Sequence, residues 1–184
     1  MNREPAPPYA GEAPHALWLV SEDASIGVFY PREVEPWPDA GALVWAIDTR
    51  HLPLFWFPRE CPRATFWADG GTTDEDAKRF LDGDRMRRVH AIESAWLDRM
   101  RSAHVVAYRL PEETFEPFDV GGYWVSRGSV EPLELVELGD LLRLHADARI
   151  ELRVVPSLWP LWDRVVASTL EFSGIRLHNA APRL

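Results

Sequence analysis

The sequence predicts an α+β protein, a single domain with a mixed, mostly antiparallel sheet flanked by helices. Short apolar runs that are typical of strands are interspersed with helical patterns. They show no regular β-α-β order, which disfavours a doubly wound parallel sheet. The chain has 184 residues, the size of one ordinary domain. A chain of this length can bury a core without a disulfide or a metal ion.

Strands are predicted wherever apolar residues run without interruption or alternate with polar ones. Residues 1–14 carry four prolines and little to bury, so we expect a disordered tail before a domain spanning residues 15–184. The run at residues 88–92 is ambiguous, and Pro132 places residues 130–138 at a sheet edge. The predicted strands cover residues 16–21, 43–47, 64–67, 105–110, 123–126 and 150–155.

Helices are predicted at four places, where apolar residues recur every three or four positions. Thr73 followed by Asp76 is typical of a capped helix start. Ser157 is expected to cap a long final helix, whose apolar side includes Leu170; beyond Glu171 no structure is assigned. The predicted helices cover residues 73–81, 93–102, 139–148 and 157–170.

Composition restricts the class of function. The net charge is −9, which disfavours non-specific binding to nucleic acids or anionic membranes. No apolar run approaches the ~18 residues of a membrane span, and the acidic, proline-rich N-terminus is unlike a secretory signal. The single cysteine, Cys61, excludes an internal disulfide and fits a reducing compartment. We therefore expect a cytoplasmic protein. Cys61 is expected to be buried and inert, and the alternative is an exposed nucleophile whose pKa the two flanking arginines lower.

The segment Pro58–Arg63 (PRECPR) is the first candidate site. Two prolines stiffen the backbone between Arg59 and Arg63, which lie four residues apart. Guanidinium groups bind phosphate or carboxylate in a bidentate manner, so this pair could hold an anion. The alternative is that both arginines pair with acidic side chains, which are plentiful in this chain.

The second candidate site is the strand that follows Gly121 and Gly122. It places an aromatic side chain, a hydroxyl and a guanidinium beside a glycine turn, in Tyr123, Ser126 and Arg127. These groups could frame a nucleotide, or they could belong to the core and the sheet edge. The six histidines show no metal-ligand spacing, so no metal site is expected. The nine tryptophans fit either an aromatic core or a stacking surface for a ring-bearing ligand.

The motifs VWAID, PRECPR, IESAW, YWVSR and VPSLWPLWDRVVASTLEFS resemble an uncharacterised bacterial domain family of unknown function, over nearly the whole predicted domain. A weaker resemblance is to the ADP-ribosyltransferase-like fold, which includes the RNA 2′-phosphotransferases. Residues 17–21 would be its early strand, Tyr123–Ser126 a later one, and Val130-Glu131-Pro132 the segment after it. That fold carries a histidine on its early strand, where this chain has Leu19 or Val20.

The second resemblance implies a transferase that binds a nucleotide or another phosphate-bearing ligand, with NAD as its cofactor. In it Arg59 and Arg63 would hold phosphates, Tyr123 would stack on a ring, and Ser126, Arg127 or Glu131 would orient a ribose, with Ser126 and Glu131 as the catalytic candidates. Two alternatives stay open. One is a non-catalytic module that binds a small anion, and the other is a protein-interaction module whose arginines form internal ion pairs.

Overall fold

A computed structural model describes residues 16–34, 37–118 and 121–183, so the expected N-terminal tail lies outside the described residues. These ranges contain ten strands and four α-helices, which confirms the α+β class. The strands are β1 (Leu17–Ser21), β2 (Val44–Asp48), β3 (Arg63–Trp67), β4 (Arg88–Glu93), β5 (Val106–Leu110), β6 (Glu116–Pro117), β7 (Tyr123–Ser126), β8 (Glu134–Glu137), β9 (Ile150–Val155) and β10 (Glu171–Ile175). The α-helices are α1 (Asp74–Leu81), α2 (Leu97–Ser102), α3 (Leu141–Asp147) and α4 (Trp159–Val166).

The strands form two mostly antiparallel sheets, where the sequence predicted one, and each sheet belongs to its own compact unit. Unit 1 comprises Met1–Trp56 and His104–Gly139, and unit 2 comprises Phe57–Ala103 and Asp140–Leu184. Each unit is therefore assembled from two separate stretches of chain.

Unit 1 contains the six-stranded sheet, in the order β6-β7-β2-β1-β5-β8, with every neighbouring pair antiparallel. Its apolar side chains gather on one face, as expected for a sheet with one buried face. The Tyr108 hydroxyl, buried at the edge of that core, donates to the carbonyl of Asp23 and accepts from the amide of Ile26. The core consists of Leu17, Phe29, Val44, Ala46, Val106, Tyr108, Leu110, Phe115 and Val130.

Unit 2 contains the four-stranded sheet β10-β3-β4-β9, in which β4 and β9 are parallel and the other pairs antiparallel. Helices α1 and α4 supply apolar side chains to the core on one face of this sheet. Helix α1 begins as predicted, because the Thr73 hydroxyl accepts from the amide of Asp76. The core consists of Ala64, Phe66, Phe80, Leu81, Val89, Ala91, Leu158, Leu161, Val165 and Leu170.

Several stretches differ from the prediction or were left open by it. The final helix ends at Val166 rather than continuing to Leu170, because Ser168 closes a turn onto the carbonyl of Val165. The unassigned residues after Glu171 complete β10, which pairs with β3 along its whole length. The ambiguous run at residues 88–92 is the central strand β4. No helix in the described ranges is long and apolar enough to cross a membrane.

Candidate functional site

A buried carboxylate–imidazole pair lies where β2 ends in unit 1. One oxygen of Asp48, Oδ1, accepts two hydrogen bonds, at 2.9 Å from the backbone amide of His51 and at 2.7 Å from its ring Nδ1. The side chains are 1% and 11% exposed, for Asp48 and His51 respectively. Since a carboxylate can only accept, Nδ1 of His51 carries the proton. In the neutral ring, Nε2 then carries the lone pair, which is the arrangement of a general base.

Gly122 explains how this pair can pack so close to β7. Its φ of +78° belongs to the left-handed region, and its carbonyl accepts from the amide of Asp48 at 3.0 Å. A Cβ at this position would lie 2.7 Å from Cγ of His51 and 2.8 Å from Oδ2 of Asp48. The glycine is therefore required both by the backbone conformation and by the closeness of the two side chains.

Thr49, which directly follows Asp48, anchors the loop. The buried Thr49 hydroxyl accepts from the Trp18 indole N–H at 3.0 Å and donates to the carbonyl of Ala16 at 3.1 Å. Both contacts join the loop to the beginning of β1. The backbone that carries the Asp48–His51 pair is thus held in place by buried hydrogen bonds on either side, as a pre-organised site requires.

A cluster of aromatic rings adjoins the pair on the same strands. Tyr123, which follows Gly122 directly, is half-buried and opposes Ile47 in the sheet. Its ring meets those of Trp37 and Trp45 edge to face, with centroid distances of 5.5 and 5.7 Å. The two tryptophans stack on each other at 4.8 Å. Within the described ranges, the buried Nε1–H of Trp45 has no hydrogen-bond acceptor.

Three other predicted site residues also lie in unit 1. Ser126 is buried and alternates with Tyr123 along β7, so it faces the core side of the sheet with Trp124. Arg127 follows the strand and is 77% exposed, with its Nη2 3.7 Å from a carboxylate oxygen of Glu116. Glu131 is exposed in the next connection. Ser126 therefore lies on the opposite face of β7 from Tyr123, as the alternation of side chains along a strand predicts, and Arg127 lies just beyond the strand.

The two arginines of Pro58–Arg63 lie in unit 2 and have different surroundings. The half-exposed Arg59 has its Nε 3.7 Å from Glu60 Oε1. Arg63 is buried, donates to the carbonyl of Cys61 at 2.9 Å, and lies 5.1 Å from the centre of the Phe57 ring. Arg59 therefore lies near an acidic side chain, as the alternative expects, whereas Arg63 contacts a backbone carbonyl and an aromatic ring.

Cys61 is fully buried between these arginines. Burial raises the pKa of its thiol to about 12, although the charge of Arg63 acts in the opposite direction. The thiol therefore stays protonated at neutral pH and lacks the thiolate character of a reactive cysteine.

A second buried pair, of two histidines, lies in unit 2. His90 on β4 and His145 on α3 are joined by a 3.0 Å hydrogen bond between Nδ1 of His90 and Nε2 of His145. Nδ1 of His145 lies 2.7 Å from the carbonyl of Leu141. Burial lowers the pKa of His145 to about 4 and that of His90 well below its usual range, where the charges of His145, Arg88 and Arg63 add to the effect.

Sequence reasoning missed both pairs. The spacing Asp-x-x-His directly after an apolar strand was a local signal for Asp48 and His51, but it matches no established motif. No local signal existed for His90 and His145, which are 55 residues apart. The described residues contain no group of three or more histidine, cysteine, aspartate or glutamate side chains that could hold a metal ion.

The sequence of this chain matches the profile of a protein family. The profile of a family of unknown function, DUF6886, matches residues 18–180. The chain belongs to that family. The match confirms the resemblance to an uncharacterised domain family. It extends over parts of both units and includes both buried pairs, Asp48–His51 and His90–His145. No curated protein and no solved structure matches the chain.

Proposed function

We propose that the protein is an enzyme that transfers or hydrolyses a group on a small molecule of the nucleotide class, bound in unit 1, with His51 as the general base. The observation that carries this proposal is the buried Asp48–His51 pair. Its 2.7 Å contact orients the imidazole and fixes its tautomer. Positioned imidazoles contribute about 10²–10⁴-fold to such reactions by taking a proton from an attacking hydroxyl.

The ligand class follows from the groups beside the pair. Tyr123 offers part of an aromatic ring, on which a base or a nicotinamide could stack. The N–H of Trp45 could donate to the same ligand. Arg127 is exposed, and its contact with Glu116 is long enough for a phosphate to compete with that carboxylate. NAD and ADP-ribose remain members of this ligand class, and Glu131 remains a candidate for the ribose.

The test is a thermal-shift screen against NAD, ADP-ribose, the common nucleotides and inorganic phosphate. A ligand at 100 times its Kd stabilises the folded state by ~2.7 kcal/mol, or roughly 5–10 °C for a chain of this size. The shift should disappear in Tyr123→Ala and shrink in Arg127→Ala. It should persist in Tyr30→Ala, which alters an exposed tyrosine of the same unit. A screen in which no compound shifts the transition contradicts the proposal, as does binding that Tyr123→Ala and Arg127→Ala leave unchanged.

The alternative is a module that binds the same ligand without turning it over. It is favoured by the low exposure of the His51 side chain, 11%, because a general base must reach its substrate. His51→Gln separates the two functions. An enzyme should lose turnover in this variant and keep its affinity for the ligand, whereas a binding module shows no turnover in either form.

A further inference from the structure

The His90–His145 pair of unit 2 permits one arrangement of protons. The carbonyl of Leu141 can only accept, so Nδ1 of His145 must donate to it. Its Nε2 is then a lone pair if the ring is neutral, and Nδ1 of His90 must donate to that lone pair. Nε2 of His90 is left as a buried acceptor that has no donor in the described part of the chain. The chain of hydrogen bonds therefore requires both imidazoles to be neutral.

Protonation disrupts this series of hydrogen bonds at the contact between the two rings. A proton added to Nε2 of His145 would place two N–H groups face to face at 3.0 Å. A proton added to His90 would create a buried cation among other positive groups. The groups that face the pair are Arg88 on its own strand, Arg63 on β3 and His145 on α3, and in the sheet register β9 places the apolar Leu152 beside His90. No acidic group is among the charges acting on His90.

Helix α3 is held in unit 2 through few side chains. Its buried residues are Leu141 and His145. The helix also packs against β9 and α2. Asp140 caps its amides, and Arg143 pairs with Asp147 on the exposed side. Phe57 packs against both imidazoles, at 5.5 Å from His90 and 5.0 Å from His145. His145 is thus one of the two buried side chains of α3, and its contact with His90 is a hydrogen bond between the helix and β4.

We propose that the His90–His145 pair is a pH-sensitive latch, which holds α3 against β4 and β9 while both rings are neutral and releases it when they are protonated. The direction follows from proton linkage. In the released state each histidine takes a proton near its usual value of about 6.5, whereas in the closed state it resists protonation to much lower pH. Release is therefore favoured as the pH falls below about 6.5.

Amide hydrogen exchange on the full chain tests the latch. The opening equilibrium of the α3 amides should be measured at several pH values between 7 and 5, with intrinsic exchange rates corrected. Linkage predicts that the opening equilibrium constant rises roughly 20-fold for each histidine over this range, and therefore several hundred-fold for the pair. Amides of β3 should rise much less, because the release of α3 leaves β3 paired with β4 and β10.

Two variants complete the test. His145→Leu should reduce the pH dependence of α3 exchange from several hundred-fold to roughly 20-fold, the contribution of His90, and His178→Leu, which changes an exposed histidine of the same unit, should leave it unchanged. If His145→Leu fails to fold, nitrogen NMR of the wild-type imidazoles decides, since both rings should carry their proton on Nδ1 at pH 7. Exchange of α3 that is independent of pH overturns the proposal. So does an equal rise in β3, which would mean global unfolding, or a ring protonated on Nε2 at pH 7.

Discussion

The two buried pairs described above, Asp48–His51 and His90–His145, differ in the group that each imidazole contacts. His51 lies against a carboxylate in a loop, so one nitrogen is fixed as a donor and a charged imidazole would find a counter-ion. His90 and His145 lie against each other between a strand and a helix, near two arginines, so a charged form finds none. Neighbouring groups, more than burial itself, therefore separate an imidazole suited to proton transfer from one suited to sensing acid.

The largest loss of stability is expected from filling the space beside the Asp48–His51 pair. Gly122→Ala adds a methyl group that collides with His51 and Asp48, at a backbone conformation that alanine rarely adopts. We expect the free energy of unfolding to fall by about 2–5 kcal/mol, because overpacking typically costs about 1–3 kcal/mol and a left-handed backbone roughly 1–2 kcal/mol more. Urea denaturation measures this. The control is Gly128→Ala, where no atom lies within 4 Å of the added carbon. Equal losses in the two variants would mean that the Asp48–His51 pair contributes little.

Lowering the pH should reduce the free energy of unfolding almost as strongly, through the His90–His145 pair. A histidine whose folded pKa is lowered binds fewer protons folded than unfolded, so stability is lost as the pH falls below the unfolded pKa. For His145, with a folded pKa of about 4, the loss between pH 7 and pH 4 is about 3 kcal/mol. Urea unfolding of wild type and His145→Leu at both pH values measures it. A pH dependence that is the same in both proteins would contradict this assignment.

A smaller effect is expected from substituting the carboxylate. Asp48→Ala removes the carboxylate that accepts from Nδ1 of His51, whereas the amide of His51 keeps the carbonyl of Asp48 at 3.1 Å, and we expect a loss of about 2 kcal/mol of unfolding free energy. Asp48→Asn keeps an acceptor oxygen and should cost about 1 kcal/mol. The ratio between the two variants shows how much of the pair is hydrogen bonding and how much is charge. If Asp48→Asn cost as much as Asp48→Ala, charge would dominate.

The smallest change in stability should come from Arg127. It is 77% exposed, and its contact with Glu116 is solvent-screened. Arg127→Ala should alter the free energy of unfolding by at most ~0.5 kcal/mol while weakening ligand binding at Tyr123. Arg101→Ala, at a similarly exposed ion pair in unit 2, is the matched control and should change neither. A loss above 1 kcal/mol in Arg127→Ala alone would assign that arginine a structural role.

The sequence predicted the elements whose side chains follow one simple pattern. Strands β1, β5, β7 and β9 and helix α1 lie close to their predicted positions, because their apolar periodicity or capping residues are unbroken. Strand β4 was ambiguous because the apolar Ile92 shares one face with the polar Arg88 and His90, and His90 is in fact buried. Strand β10 gave no apolar signal because it is a half-exposed edge, and Gly174 there leaves room for Trp162.

The candidate site was predicted only in part, for a related reason. Tyr123 and Arg127 stood out because aromatic and charged residues beside a glycine turn are visible in the sequence. Asp48 and His51 were adjacent to that turn only in space, through the pairing of β2 with β7. Arg59 and Arg63 appeared equivalent in sequence, yet the structure exposes one and buries the other. Spacing along the chain does not determine which side of the backbone becomes covered.

The division of each unit into two stretches of chain has a consequence for synthesis on the ribosome. Unit 1 is complete once Gly139 has emerged, and its antiparallel sheet can then form. Synthesis of unit 2 begins before unit 1 is complete, with β3 and β4. Strand β4 then lacks its neighbour β9, and β3 lacks its neighbour β10, until those two strands have been made. During that interval the nascent chain carries two open strand edges with apolar side chains, which are the usual starting point of aggregation. Unit 2 is therefore where slow translation or a shortage of chaperones should first reduce the yield of folded protein.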